Sequence, residues 1–327
     1  MGVRMAQAAL ASAARWPTVS AVPARVTEIA LAALERTLRR RLLADASCPA
    51  SASSSRTGVR GAGTVNEMID RKRQILTESE RCGAVLAATD PASRVPTCPD
   101  WTALDLLKHL TQVHQFWAAV IGDRLTAEAV ADFEKSRPAL PDDPMRLQDL
   151  RRQATADLLE ALNDRDPSEP AWSWFPPDQT VDFTWRMQTH EATIHRVDAE
   201  LVAGLPISPI DPGIAADGID HVVNVMWAWV PGGVERRLSS TIELKATDTS
   251  QTWLVNTFRW SGEAWGETYN NQIGCERAVA GEPGAIVSGT AQDLDLLLWN
   301  RADNAVTRSG SQHALAEFQA MLDDGIQ

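Results

Sequence analysis

The sequence predicts a mainly α protein, a four-helix bundle over residues 67–204 followed by a smaller α+β domain over residues 205–327. Three observations carry that prediction. Four long segments between residues 66 and 204 repeat apolar residues at helical spacing. At LPISPIDPG the pattern changes, and β-rich runs take over. The first 66 residues fit neither pattern, being rich in Ala, Arg and Ser.

Taken in order, the leader holds nine arginines, no lysine and only three acids (Glu28, Glu35, Asp45) before Glu67. Its end, CPASASSSRTGVRGAGT, has the composition of an unstructured linker. ARVTEIALAALERTLRRRLLADAS has helical periodicity but no evident packing partner. The leader is therefore expected to be a disordered extension, with Met68 as the expected natural start. NEMIDRKRQILTESERCGAVLAATD reads as the first bundle helix, ended by the turn-rich DPASRVPTCPDW. In WTALDLLKHLTQVHQFWAAVIGD, Thr102 and Asp105 have the spacing of a capping box. From Leu106, the residues Leu110, Val113, Trp117, Val120 and Ile121 fall within about 60° on the wheel. PMRLQDLRRQATADLLEALNDRD and VDFTWRMQTHEATIHRVDAELVAG supply the third and fourth helices, with long connections around 123–145 and 164–181. Beyond them, GIAADGIDHVVNVMWAWV reads as a helix and STIELKAT, TWLVNTFRW, AWGETYNN and AIVSG as strands. GTAQDLDLLLWNR and GSQHALAEFQAMLDD read as helices packed on one face of a mostly antiparallel sheet.

Composition excludes several functions. A net charge of −12 is the wrong sign for a general nucleic-acid binder. No apolar run reaches the roughly 18–20 residues that span a bilayer. Cys48, Cys82, Cys98 and Cys275 form no CxxC pair and fit free thiols in a reducing cytoplasm. Cys98 has no basic partner in sight, and Cys82 is expected to pack on its helix. The tryptophans, twelve in all and including those of WSWF (172–175) and WAW (227–229), are expected to pack the core rather than wall a ligand site.

The fourth helix carries the chemistry. With Met187 at 0°, Ile194 sits at about −20° and Leu201 at about −40°, so this face is apolar. Glu191 (about 40°), Asp198 (about 20°) and His195 (about 80°) intrude on it. Arg186, Arg196 and Glu200 fall on the opposite face, where water is expected. Buried ionisable groups must be paired or metal-bound. Glu191 and His195, four apart, can converge on one point. His190 and His195, five apart, cannot form the zincin pair of HExxH. A buried His–Glu hydrogen bond without metal satisfies the same spacing. A third ligand could come from His109 or His114, at about −60° and 80° on the second helix, and the wheel does not choose between them.

CPDWTALDLLKHL, THEATIHRVDAE and GTAQDLDLLLWNR, in that order across both domains, resemble the mycothiol-dependent maleylpyruvate isomerase family, a branch of the DinB-like metal-binding bundles. The resemblance covers most of residues 68–327. It implies His109, eight residues after Trp101, together with Glu191 and His195 as ligands of a divalent ion, with zinc the expected metal. Asp198 is implied to orient a ligand, and Arg301 to act catalytically by holding a substrate carboxylate. Asp100 and Asn300 stand where the family usually has glycine. The implied reaction is isomerisation of, or S-transfer to, a small electrophile by mycothiol as cosubstrate. In an isomerase the thiolate adds to a cis double bond, permits rotation and leaves. A non-catalytic metal-binding sensor of the same fold and a metal-dependent hydrolase are the alternatives. A cytoplasmic monomer or weak homo-oligomer, with no nucleic-acid or membrane partner, is expected.

Overall fold

The computed structural model describes residues 69–326 apart from positions 229, 265, 266 and 304. The expectations for the leader, for Met68 and for Trp229 lie outside the described residues. Helix α1 (Arg71–Ala87) starts behind Asp70, whose side chain accepts from the Arg73 amide. The turn-rich segment that follows is more ordered than expected. Its strands β1 (Arg94–Val95) and β2 (Cys98–Thr102) form a small antiparallel hairpin. Thr102 then opens α2 (Ala103–Gly122) with the predicted capping box to Asp105. The 123–145 connection contains a further short helix, α3 (Ala127–Ser136), capped by Thr126. Asp143 caps α4 (Pro144–Asn163), which has proline in its first turn, and Thr180 caps α5 (Val181–Val202).

Contacts between helices fix their directions. The pairs Gln74–Thr193, Arg81–Glu200 and Glu78–Arg196 keep a near-constant separation of 118–119 residues, so α1 and α5 are parallel. His114–Thr155 and Ile121–Arg165 make α2 and α4 parallel in the same way, at separations of 41 and 44. Between α1 and α4 the separation grows from 65 at Gly83–Gln148 to 91 at Lys72–Asn163, which marks an antiparallel pair. The order is therefore up-down-down-up. Joining parallel α2 and α4 requires the chain to return along the bundle, and residues 123–143 with α3 make that return.

Helix α5 ends at Gly204 in a left-handed conformation (φ 67°), where glycine pays no Cβ penalty. Asp211 caps α6 (Pro212–His221), which runs on into a π-helical turn over Val222–Met226. Strands β3 (Glu235–Ala246), β4 (Thr252–Ala264), β5 (Glu267–Arg277), β6 (Ala285–Gly289) and β7 (Thr307–Gly310) form one sheet in the order β5-β4-β3-β6-β7. Only the β3/β6 pair is parallel. Helix α7 (Ala291–Leu298) connects β6 to β7, and α8 (Gln312–Asp324) closes the chain. Sequence patterning found each of these except the hairpin strands β1 and β2, the four-residue β7 and the short α3. One apolar cluster runs from Trp117, Leu158 and Val197 in the bundle to Val255, Leu294 and Phe318 in the α+β part, so the two regions share a core. The tryptophans of WSWF serve that core. Trp174 is buried, and Trp172 stacks on Trp117 at 5.8 Å.

Helices α6 and α7 meet where a Cβ at Gly218 would lie 2.3 Å from Asp295 Oδ1, so a side chain at 218 would collide with the carboxyl. Asp295 is fully buried and its Oδ1 has no hydrogen-bond partner. Burial, reinforced by the charge of Asp217, holds its pKa well above the ordinary value. The folded state therefore keeps a proton that the unfolded chain releases above about pH 4. Stability falls as pH rises from there toward the folded pKa. Asp295→Asn removes that proton demand. It is expected to raise stability at pH 8 by on the order of 1–2 kcal/mol, with the gain vanishing near pH 4. Urea unfolding of both proteins at the two pH values measures this, and an equal effect at both would refute it.

Candidate metal centre

The chain directions set α2 and α5 antiparallel, which brings the second turn of α2 level with the middle of α5. There His109 Nε2 lies 2.8 Å from Glu191 Oε1, and His195 Nε2 lies 3.2 Å from the same oxygen. One donor atom from each of the three residues falls within 4.8 Å of the others. The side chains of His109, Glu191 and His195 are 12%, 24% and 9% exposed, so Glu191 is the most open to solvent. His109, not His114, joins this group. His114 is buried against α4, with Nδ1 3.0 Å from Thr155 Oγ1, and burial pushes its pKa down to about 3.

A line of ionic contacts supports the cluster from behind. His195 Nδ1 lies 2.9 Å from Asp198 Oδ2. Asp198 accepts from Arg301 Nε at 2.9 Å and Nη2 at 2.8 Å, and from Thr97 Oγ1 at 2.6 Å. Arg301 also donates from Nη1 to the Trp299 carbonyl at 2.6 Å. Its guanidinium is thus engaged on Asp198 and reaches the histidine through that carboxylate. The end of α7 aims it there. Arg301 N bonds Leu296 O at 2.7 Å and Asn300 N bonds Leu297 O at 3.0 Å, with Asn300 left-handed at φ 61°. This is a Schellman turn. Asparagine tolerates the left-handed conformation better than other non-glycine residues, so Asn300 keeps the turn at the position where the resemblance implies glycine.

The electrostatics follow from these contacts. Burial alone would raise Glu191, but the charge of His195 and hydrogen bonds from both histidines hold it well below the carboxylate range. Burial would lower His195, yet Glu191 and Asp198 outweigh it and raise its pKa to about 9. His109 goes down, chiefly by burial and then by the charge on His195. The donor set suits a divalent ion. Two imidazole Nε2 atoms and a carboxylate oxygen converge on one point. The His195 Nδ1 contact to Asp198 selects Nε2 as its inward atom, the arrangement that outer carboxylates give to ligating histidines.

Several sequence expectations need correction. Arg196 and Glu200 do not face water. Both are buried, with Arg196 Nε 2.5 Å from Glu78 Oε2 and Nη1 2.9 Å from Glu200 Oε2. Arg186 is largely covered and bonds Asp217 and Asp220 on α6. Cys98 does have a basic neighbour, Arg301 Nη2 at 3.8 Å, although burial pushes its thiol up to about 11. Cys82 packs across onto α5, its Sγ 3.5 Å from the His195 carbonyl. His190 stands apart, with Nε2 2.9 Å from Asp217 Oδ2. Sequence reasoning missed Trp101, whose ring centroid lies 4.6 Å from that of His109 and 6.0 Å from that of His195. Its place beside the β2–α2 cap carried no local signal.

An up-down-down-up bundle with two histidines and a carboxylate at its centre, backed by an α+β domain that sends an arginine behind them, defines a helical-bundle class with a candidate metal site. Family models refine that class. The mycothiol maleylpyruvate isomerase N-terminal domain matches residues 72–200, and the corresponding C-terminal domain matches residues 213–317. Together they span well over half of the chain, which belongs to the mycothiol-dependent maleylpyruvate isomerase family. Two solved structures of the mycothiol-dependent maleylpyruvate isomerase, one a histidine-to-alanine mutant, are similar at 16% identity. Each match covers 74% of this chain and 93% of the other, with TM-scores of 0.48 and 0.50. At that identity the match with a TM-score of 0.50 speaks to the fold alone. A search of curated proteins found no match.

Proposed function

We propose that this chain is a divalent-metal enzyme that uses mycothiol to isomerise, or to transfer sulfur to, a small electrophile that can carry a carboxylate. The observation that carries the reading is the convergence of His109, Glu191 and His195 in a chain with both domains of the family. A bound divalent ion, zinc being the expected one, would supply the positive charge that draws a thiol's pKa toward neutrality. His109 and His195 would hold it through Nε2 and Glu191 through its carboxylate. Asp198 fixes the orientation of His195, and Arg301 balances the charge of Asp198 in a buried setting. Arg301 is therefore assigned as a positioning residue acting through Asp198, in place of a direct hold on the substrate. Among the described residues no helix is long and apolar enough to cross a membrane, and the thiol cosubstrate fits a cytoplasmic setting. Hydrolysis is less well supported, because Glu191 as a ligand is no longer free to act as the base for water.

Elemental analysis of the purified protein tests the centre of this reading. About one divalent ion per chain is expected, lost on His195→Ala. Metal-free wild type after zinc loading and dialysis would sink the claim. A turnover assay with mycothiol, and with water as the only nucleophile, then separates thiol chemistry from hydrolysis. Metal without any turnover would favour the non-catalytic sensor.

A further inference from the structure

We propose that Trp101 is the wall on which the body of the thiol lies, and so the residue that sets which thiol this site accepts. The inference rests on the thiol-dependent function proposed above. Among the described residues, Trp101 is the aromatic ring that contacts both histidines of the cluster, at 4.6 Å from His109 and 6.0 Å from His195. It is half-buried, unlike the fully buried Trp117 and Trp227 that serve the core. The residue therefore keeps some accessible surface while its ring adjoins the rings of both donor histidines.

Its position is also fixed in advance. The preceding residue, Asp100, accepts at its carbonyl from Arg94 Nη1 at 3.2 Å. The following residue, Thr102, is locked by the capping box, and Ala103 N bonds Ser93 O at 2.8 Å. These contacts fix the backbone that carries Trp101, and the ring itself packs on His109 and on the cluster of Leu106 and Leu110. It therefore loses little freedom when a ligand settles on it, the condition under which an aromatic surface contributes most to binding.

Geometry then gives the ring its partner. A thiol that brings sulfur to the point where His109, Glu191 and His195 converge must leave its remaining atoms outside that point. Trp101 stands at this rim, and an indole face takes the C–H surface of a saturated carbohydrate body well while its N–H end can stay wet. A two-carbon thiol has no such body and would reach the same point without using the ring. This separates Trp101 from the three donors, which every thiol would need equally.

The test is calorimetric titration of zinc-loaded wild type, Trp101→Ala and Trp101→Phe with mycothiol and with 2-mercaptoethanol. Zinc content is measured on each sample. Trp101→Ala is expected to weaken mycothiol by about five- to tenfold while leaving 2-mercaptoethanol affinity and zinc content unchanged. Trp101→Phe should recover most of the loss. Unchanged mycothiol affinity in Trp101→Ala would overturn the inference. So would an equal loss for both thiols together with lost zinc, which would make Trp101 a support for His109 instead. Wild type that holds zinc but binds neither thiol would remove the thiol-dependent function itself, a failure distinct from that of Trp101.

Discussion

Asp198→Ala is expected to weaken zinc binding by about 10–100-fold and to destabilise the metal-free fold by about 3–5 kcal/mol. Two losses combine. His195 Nδ1 loses the carboxylate 2.9 Å away that turns Nε2 toward Glu191. Arg301, whose side chain is almost fully covered, loses both oxygens that neutralise it. An unpaired buried charge costs far more than the net worth of the pair. Asp198→Asn keeps an acceptor of the same shape without the charge, so it should fall between wild type and alanine in both measurements. Arg301→Ala should also weaken zinc binding, less than Asp198→Ala, because the contact of Asp198 with His195 survives. Competition with a chromogenic chelator gives the affinities. Urea unfolding in the presence of a strong chelator gives stability free of any contribution from bound metal. Wild-type zinc affinity in Asp198→Ala would show that the line from Arg301 to His195 has no bearing on the site.

What the sequence revealed of this site is what local helix geometry governs. The wheel turned Glu191, His195 and Asp198 inward, because residues three and four apart on one helix share a face wherever that helix sits. Thr102 and Asp105 announced the start of α2 for the same reason. The wheel could not choose between His109 and His114, since both border the apolar stripe. The choice is tertiary, as α5 brings Glu191 to His109 while α4 brings Thr155 to His114. Arg301 and Asp198 are 103 residues apart, and only the resemblance linked both to one site. The α3 helix stayed hidden because Val130 is its only buried residue, too little to make a periodic pattern. Arg196 and Glu200 were misplaced for a different reason. A wheel assigns one face to water, but α5 is covered on both flanks, by α1 on one and by the chain leading into α6 on the other.

That covering makes Arg196 the second position where a single change should have a large effect. Arg196→Met is expected to destabilise the protein by about 3–5 kcal/mol without reducing zinc stoichiometry in the protein that remains folded. Arg196 donates to Glu78 on α1, to Glu200 one turn further along α5 and to the Ser208 carbonyl at 2.9 Å. Glu200 in turn accepts from Arg81 Nε at 3.0 Å, from Ser208 N at 2.8 Å and from Ser208 Oγ at 2.6 Å. The network ties α1, α5 and the connection to α6 together where the bundle passes into the α+β domain. Methionine has nearly the length of the arginine stem, so packing is largely kept and the lost charge is what the variant reports. The two glutamates then lie close together without the cation that separates them, and Glu200 is fully buried. One of them should take up a proton on folding, so the stability deficit should shrink as pH falls toward the carboxylate range. Replacing Glu78 by Gln in the same chain removes one of the opposed charges. The double variant Glu78→Gln with Arg196→Met should be more stable than Arg196→Met alone, whereas a deficit that simply adds would show that repulsion is not the cause. Urea unfolding at pH 5 and pH 8, with zinc content measured beside it, separates this structural tie from the Asp198 line that serves the metal site.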